Sequence, residues 1–254
     1  MNSDKQREYL RYEGRAKLLL TLENAKSKKD WAFGVLGISP IYQAPYIYYE
    51  KCICKLIFQD NDVLEIGSGT GLHTYMLVQT GARVVATDIS SHSLAVLSQR
   101  IREGVMVSAA DMEALPFSDN AFDVVASAGS LSYGDPDRVD AEIKRVLRSG
   151  GSFICVDSLN HNPIYRFNRW VHYLRGRRTR STLIRMPTIE RIQSISKGFK
   201  SAEVRYFGAV SYLMPLFAFI VGQKHAANIS DTIDRLLHVR RSAFKFVMVA
   251  KGRI

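Results

Sequence analysis

The sequence has little cysteine and no apolar run of membrane-spanning length, and each shortage excludes a class of protein. Its 254 residues include three cysteines, Cys52, Cys54 and Cys155, which are too few for a disulfide framework and lack the partners of a zinc site. The charged N-terminal residues have no apolar signal-peptide region. The longest apolar stretch, Tyr206–Gly222, is short for a membrane span and contains Pro215, which favours a buried or interfacial helix. We therefore expect a cytoplasmic protein without a bound metal.

Acidic residues are scarce outside the middle of the chain. The net charge is +11, yet residues 60–158 hold 7 Lys and Arg against 14 Asp and Glu. Residues 159–205 hold 11 against 2 and carry most of the excess. Such a basic block indicates an anionic partner, which would be a phosphate-bearing substrate, a lipid surface or nucleic acid. A solvated basic face is the alternative.

Short apolar strands alternate with helical segments in the middle of the chain. The predicted strands are Asp62–Ile66, Ala82–Thr87, Val105–Ala109, Phe122–Ser127 and Ser152–Asp157. The predicted helices between them are Thr70–Gln79, Ser91–Arg102 and Pro136–Leu147. This alternation is typical of a parallel sheet with helices on both faces.

The segments around this core have other patterns. Helices are predicted over 3–29, 46–58, 211–222 and 229–238, a loop over 31–49, and closing strands over Glu203–Phe207 and Ala243–Ala250. We therefore divide the chain into an N-terminal helical lid (1–59), a core (60–158), a basic helical cap (159–201) and closing strands and helices (202–254).

Three glycines follow the first predicted strand directly, in the sequence VLEIGSGTG. Gly67, Gly69 and Gly71 allow a tight turn and a close approach to a ligand at the carboxyl end of the strand. The spacing and the missing lysine exclude a P-loop, and the Gly-Ser-Gly order excludes a nucleophile elbow. Asp88 ends the second strand about 20 residues later, where a carboxylate can accept both hydroxyls of a ribose.

Three later segments complete an ordered set of motifs: Ala110–Phe117 (ADMEALPF), Phe122–Val125 (FDVV) and Leu147–Gly151 (LRSGG). Together with the glycine loop and Asp88, this set resembles the class I S-adenosylmethionine-dependent methyltransferases. The resemblance implies an α/β fold with a Rossmann-like sheet of seven strands, parallel except for the last, with flanking helices. It also implies S-adenosyl-L-methionine as the cofactor.

The resemblance assigns roles to residues at the first two strand ends. Glu65, Gly67, Gly69 and Gly71 would line the methionine and ribose portion of the cofactor. Asp88 would bind the ribose hydroxyls.

Further roles follow for residues after the second, third and fourth strands. Ile89 would pack on the adenine, Asp111 would accept from its amino group, and the Met112 backbone would contact the ring. Ser127 and Ala128 would lie near the amino-acid portion and the reacting methyl group.

A general base would help methyl transfer to a hydroxyl acceptor. Small-molecule members of the family often carry a His pair after the fourth strand, but this chain has Leu131-Ser132-Tyr133 there. His161, after the fifth strand, is the first candidate for the base, and His73 and His172 are further candidates.

The basic cap suggests an acceptor. Residues Leu159–Met186 resemble methyltransferases found with bacterial surface-polysaccharide biosynthesis. Arg166 and Arg169 could grip phosphates of a nucleotide- or lipid-linked saccharide, and Tyr165 could stack on a sugar ring. A structural cap with its arginines in water is the alternative.

We therefore expect a small-molecule methyltransferase that acts on a hydroxyl of an anionic acceptor such as a saccharide. An RNA acceptor is suggested by the basic cap, although no RNA-binding module is recognised. A quinone or lipid acceptor, and peripheral contact at the inner membrane, are favoured by the apolar run over 211–222. A non-catalytic cofactor-binding module is the remaining alternative.

Overall fold

The computed structural model describes residues 3–23, 38–237 and 240–254. Its sheet has seven strands in the order β3-β2-β1-β4-β5-β7-β6. The strands are β1 (Asp62–Ile66), β2 (Arg83–Asp88), β3 (Val105–Ala109), β4 (Phe122–Ala128), β5 (Leu147–Ser158), β6 (Phe199–Phe207) and β7 (Lys245–Arg253). All of them are parallel except β7, which pairs antiparallel with both β5 and β6. The predicted Rossmann-like sheet with an antiparallel last strand is confirmed.

Helices flank the sheet, and several begin at a side chain that caps their first turn. The helices are α1 (Ser3–Glu23), α2 (Ala44–Leu56), α3 (Thr74–Val78), α4 (Ser91–Arg100), α5 (Pro136–Val146), α6 (Pro163–Leu174), α7 (Arg180–Ile184), α8 (Ile189–Ser196), α9 (Met214–Val221) and α10 (Gln223–Leu237). Ser90, Asp135 and Asn162 accept backbone N–H groups at the starts of α4, α5 and α6, which satisfies donors that have no partner within the helix.

The central strands are buried on both faces. In β1, Leu64 and Ile66 belong to the apolar cluster on one side of the sheet, while Val63 belongs to the cluster on the other side. Successive side chains of a strand point to opposite faces, so a strand covered on both faces needs a continuous apolar run. This is why the core strands could be located from the sequence.

Several predicted boundaries are wrong. The predicted loop over 31–49 contains the start of α2 at Ala44, because the chain enters that helix through a short 3₁₀ turn, Pro40–Tyr42. The predicted helix Thr70–Gln79 is helical only over Thr74–Val78, because the preceding residues form turns around the third glycine. The parts of the predicted segments that fall in 24–37 and 238–239 lie outside the described residues.

The fifth predicted core strand and the two closing strands each extend beyond at least one of their predicted limits. β5 begins at Leu147, and it passes through Gly150 and Gly151 with an irregularity in its pairing to β4. β6 begins at Phe199 and β7 ends at Arg253. These extensions are polar or glycine-containing, and their strand form comes from pairing with neighbouring strands, which local sequence does not encode.

The core depends on the last strand, and its contribution can be measured. Phe246 of β7 is fully buried in the apolar cluster. We expect Phe246→Ala to lower the free energy of unfolding by about 3–5 kcal/mol, since it removes buried apolar surface and leaves a cavity. Phe58→Ala, at a position that is 64% exposed, is the control and should change it by less than about 0.5 kcal/mol. Equal effects in urea unfolding would contradict this packing.

Candidate active site

A cavity of about 430 Å³ lies at the edge of the sheet where β1, β2, β3 and β4 end. Parallel strands deliver the loops that follow them to this one edge, which is where α/β proteins bind ligands. The walls come from the glycine loop after β1, the end of β2, the segment after β3 and the turn after β4, and α1 covers the top. The predicted residues among those that line it are Gly67, Gly69, Asp88, Ile89, Asp111, Met112 and Ala128.

The glycine loop has the backbone that its sequence predicts. Gly67, Gly69 and Gly71 all have positive φ values, between 54° and 81°, a region that disfavours other residues. A Cβ atom at Gly67 would come within 2.4 Å of Ser130 Cβ, and one at Gly71 within 2.8 Å of Leu97 Cγ. A Cβ at Gly69 would meet no atom within 4 Å. Gly67 and Gly71 thus allow close packing, while Gly69 leaves space at the cavity wall.

Asp88 holds the loop and the end of β2 together. Its Oδ2 accepts the N–H of Gly69 at 2.9 Å, and its Oδ1 accepts the N–H of Ser90 at 2.8 Å. Burial raises the pKa of the Asp88 carboxyl, and hydrogen bonds from the backbone oppose this shift. Each oxygen keeps a second lone pair, so the carboxylate can still accept hydroxyl donors from a ligand in the cavity.

Asp111 follows β3 and is engaged from two sides. Its Oδ1 accepts the N–H of Glu113 at 3.0 Å, and its Oδ2 lies 2.6 Å from the Lys5 ammonium of α1. The same ammonium lies 2.9 Å from Glu113. Met112 lies between these residues and the glycine loop, with its methyl group 3.3 Å from the position of a Gly67 Cβ.

The turn after β4 closes the cavity at its far end. Ser130 Oγ donates to the carbonyl of Ile66 at 3.0 Å and lies 2.7 Å from Ser127 Oγ. Ser127 is fully buried behind Ser130 and does not line the cavity. Tyr133, in the same turn, is hydrogen-bonded to Tyr12 of α1, and burial raises the pKa of the Tyr133 hydroxyl.

Glu65 and Gly71 support the loop from behind the cavity wall. Glu65 is buried and accepts a hydrogen bond from the Thr74 hydroxyl at the start of α3. Burial raises the pKa of the Glu65 carboxyl to about 7. Neither residue is among those that line the cavity, so the structure does not bring them into the group that faces a ligand.

Polar side chains of α1 fasten this helix over the cavity. Glu13 contacts Ser90 and His92 at the start of α4. Asp4 accepts the Ser181 N–H at 3.0 Å, and Glu8 accepts the Thr179 N–H at 3.1 Å. The helix is therefore held to both the core and the cap by hydrogen bonds, mostly without apolar packing.

His73 lines the cavity beside the glycine loop. Its ring is stacked on Tyr46, with centroids 5.0 Å apart and planes 4° from parallel, and meets Tyr49 edge-on. Nδ1 is buried and has no hydrogen-bond partner within the described residues. Burial, helped by the positive charge of Lys245, lowers the pKa of His73 to about 4, which keeps the imidazole neutral.

The predicted base and acceptor residues lie elsewhere. His161 Nε2 accepts the N–H of Ile189 at 2.9 Å and does not line the cavity. Tyr165 donates to or accepts from Ser211 Oγ at 2.6 Å. Arg166 is exposed on α6, whereas Arg169 is buried and donates to the Leu159 carbonyl at 3.0 Å. The structure does not bring these four residues together with the cofactor residues.

The sequence predicted a helical lid over residues 1–59, but it named none of the α1 residues that line the cavity. Lys5, Glu8, Tyr9 and Tyr12 line it from above, yet they read as the solvated face of an amphipathic helix. The signal that could have found them is the pair Tyr9 and Tyr12, set among charged residues in the first half of the helix, before its leucine-rich second half. Such a helix needs polar partners in order to dock.

The cavity fits S-adenosylmethionine by the chemistry of its walls. Asp88 presents a carboxylate at the end of β2, and Gly69 leaves open space in front of the loop. Ser68 Oγ, like His73 Nδ1, is buried without a partner in the described part of the chain. Such atoms are costly to leave unpaired, and both residues line the cavity, where a rotation of the side chain would turn them toward the polar groups of a ligand.

Comparisons with known proteins agree with this site. Residues 64–155 match the family described as "Methyltransferase domain". A demethylmenaquinone methyltransferase from Thermobifida fusca is 38% identical over 112 residues, which are 42% of this chain and 47% of that relative. The chain spans less than half the length of this relative and of two further quinone methyltransferases.

Solved structures share the fold at low identity. The [4+2]-cyclase SpnF has a TM-score of 0.58 at 20% identity, over 84% of each chain. Geranyl diphosphate C-methyltransferase from Streptomyces coelicolor, solved with Mg²⁺, geranyl diphosphate and S-adenosyl-L-homocysteine, has a TM-score of 0.57 at 17% identity, over 82% of this chain and 78% of that one. Residues 64–155 therefore match a methyltransferase domain, and the solved structures share the fold of the chain.

The raised pKa of Glu65 predicts a pH dependence of stability. The folded protein keeps the Glu65 proton up to about pH 7, whereas the unfolded chain loses it near the ordinary value of about 4.3. The folded state therefore binds more protons in this window, so this group's contribution to stability falls as pH rises through it. The side chain introduced by Glu65→Gln is uncharged at every pH. Between pH 4.5 and pH 8, the free energy of unfolding of this variant should therefore rise relative to that of the wild type by about a few kcal/mol.

Urea unfolding of both proteins at the two pH values measures this gain. Glu103→Gln, at an exposed position, is the control and should show no gain. If Glu65→Gln and the wild type differ in their free energy of unfolding by the same amount at both pH values, the Glu65 carboxyl is not held protonated by burial.

Proposed function

We propose that the whole chain is an S-adenosylmethionine-dependent methyltransferase that acts on a small-molecule acceptor. The observation that carries this proposal is the cavity at the strand ends, where the Asp88 carboxylate, the open loop at Gly69 and the methionine at position 112 converge. A shared fold does not fix a reaction, as the cyclase with this fold illustrates. The residues of the site and the methyltransferase-domain match therefore support the assignment more strongly than the architecture does.

The cofactor supplies a methyl group on a positively charged sulfur. Asp88 would hold its ribose hydroxyls, Gly69 would allow the close approach of its amino-acid portion, and Ile89 would pack on the adenine. Asp111 would accept from the adenine amino group, which requires Lys5 to give up its position at Oδ2. Burial under α1 would exclude water from the reacting atoms.

We propose His73 as the general base, in preference to His161. The His73 ring lines the cavity, and its Nδ1 has no hydrogen-bond partner among the described residues. Nδ1 is buried as the ring stands, so the ring would have to turn in order to bring this nitrogen to the proton of an acceptor hydroxyl. Loss of that proton would make the oxygen of the acceptor, or a ring carbon conjugated to it, more nucleophilic. His161 already uses Nε2 to accept a backbone N–H.

A quinone or lipid is the acceptor class that we favour. The relatives named above are quinone methyltransferases, and the cavity walls beyond the loop include Leu19, Leu72 and four tyrosines. The saccharide acceptor, held by Tyr165, Arg166 and Arg169, has no support from these comparisons. Nothing in them favours an RNA acceptor either.

Transfer of a labelled methyl group tests the function. The purified chain is incubated with labelled S-adenosylmethionine and one acceptor at a time. The three acceptors are reduced demethylmenaquinone, a nucleotide-linked sugar and RNA. We expect label in the quinone. Asp88→Asn should bind S-adenosylhomocysteine about tenfold or more weakly, since a charge-assisted hydrogen bond is lost, while Asp137→Asn, an exposed control, should bind normally. Normal cofactor binding without transfer to any acceptor would favour a non-catalytic binding module.

The two histidines are separated by their variants. His73→Asn should lower turnover by about 10²-fold or more while S-adenosylhomocysteine binding is kept, since general-base catalysis is worth this much. His161→Asn should leave turnover nearly unchanged if it only caps α8. Loss of turnover in His161→Asn at normal stability, with His73→Asn active, would reverse the assignment.

A further inference from the structure

Helix α6 has its polar face inward and its apolar face outward. Tyr165 and Arg169 point into the protein, where they contact Ser211 and the Leu159 carbonyl. Phe167, Trp170 and Leu174, spaced three and four residues apart, are exposed on the other side. A surface helix of a water-soluble protein normally has the opposite arrangement. The outward face of α6 is therefore built for an apolar partner.

Helix α9 shows the same feature more strongly. Its eight residues, Met214–Val221, are all apolar. Only Met214 is buried, whereas Phe219 is 94% exposed, Ile220 is 80% exposed and Leu216 is also exposed. Single exposed apolar residues are ordinary, but a whole helix of them marks an interaction site.

The two helices begin next to each other. The Tyr165 hydroxyl, in the first turn of α6, lies 2.6 Å from Ser211 Oγ, three residues before α9. The Tyr165 ring also stacks on Phe244 at 5.0 Å. We define the apolar patch as the six exposed residues Phe167, Trp170, Leu174, Leu216, Phe219 and Ile220.

The charge around the apolar patch identifies the partner. Residues 159–189 contain seven arginines and no acidic residue, and residues 204–230 contain no acidic residue either. Arg166 and Arg175 are exposed on and beside α6. A second copy of the chain would bring two such basic surfaces together, which is repulsive. An anionic lipid surface would pair with the arginines and take up the apolar side chains.

We propose that the apolar patch inserts into the surface of an anionic lipid bilayer, with Arg166 of α6 and Arg175 beside it contacting the headgroups. Phe and Trp beside Arg are the side chains that favour the boundary between headgroups and acyl chains. No helix in the described ranges is long and apolar enough to cross a membrane, so the contact is at one surface. The inference rests on the surface alone and stands whether or not the chain transfers methyl groups.

Co-sedimentation with vesicles tests the proposal. The full chain is mixed with vesicles of phosphatidylcholine alone or of phosphatidylcholine with phosphatidylglycerol. We expect sedimentation with the anionic vesicles only. The double variant Phe219→Ser, Ile220→Ser should lose about tenfold or more in vesicle affinity, because each buried apolar side chain contributes about 1.5 kcal/mol or more. The matched control, Phe58→Ser with Met106→Ser, removes two other exposed apolar side chains and should bind like wild type.

A second readout places the contact on α6. In Trp31→Phe, which keeps Trp170 as the single tryptophan, vesicles that carry brominated acyl chains should quench the fluorescence. The double variant Arg166→Gln, Arg175→Gln should show a smaller preference for anionic vesicles. Its vesicle binding should also depend less on salt concentration than that of the wild type. The proposal would be overturned if the wild type did not sediment with anionic vesicles, or if the α9 variant and its control bound them equally. A dimer in light scattering that becomes a monomer in the α9 variant would also overturn it.

Discussion

The site depends on one carboxylate and on the hydrogen bonds that it accepts from two backbone N–H groups. Asp88 bonds to Gly69 and Ser90, and so fixes the glycine loop after β1 to the end of β2. The bonds hold the carboxylate in one orientation although burial raises its pKa. Without this link, the loop and the strand end would present their groups independently, and the cavity would lose its floor. Preorganisation of this kind is what lets a site bind without first ordering itself.

The cover of the cavity is held differently from its floor. The floor is packed from buried apolar strands, with Glu65 and Ser130 hydrogen-bonded behind it. The cover, α1, is fastened by exchangeable polar contacts such as Lys5 with Asp111 and Asp4 with Ser181. A polar contact can be exchanged for contacts with water or with the polar groups of a ligand. A rigid floor and a releasable cover suit a site that must admit a cofactor and then exclude water.

Much of the fold could be predicted because its signals are local. Buried strands such as β1 are continuous apolar runs, and the glycines at 67, 69 and 71 are needed for the backbone that the loop adopts. Seven of the ten cofactor residues predicted from the same motifs line the cavity, and Glu65, Gly71 and Ser127 lie behind its wall; their contacts with the cofactor stay a prediction. The limits of α3 and β5 could not be predicted, because turns and strand pairing decide them. A helical lid over residues 1–59 was predicted, but the α1 residues that line the cavity and the inverted face of α6 depend on which elements pack together, which one sequence does not reveal.

A crystal structure with S-adenosylhomocysteine would test the account of the cavity most directly. The account predicts the ribose hydroxyls on the Asp88 carboxylate and the adenine amino group on Asp111, with Lys5 moved away from Oδ2. A complex in which the compound binds at another place, or in which the Lys5–Asp111 pair persists while adenine lies elsewhere, would contradict it.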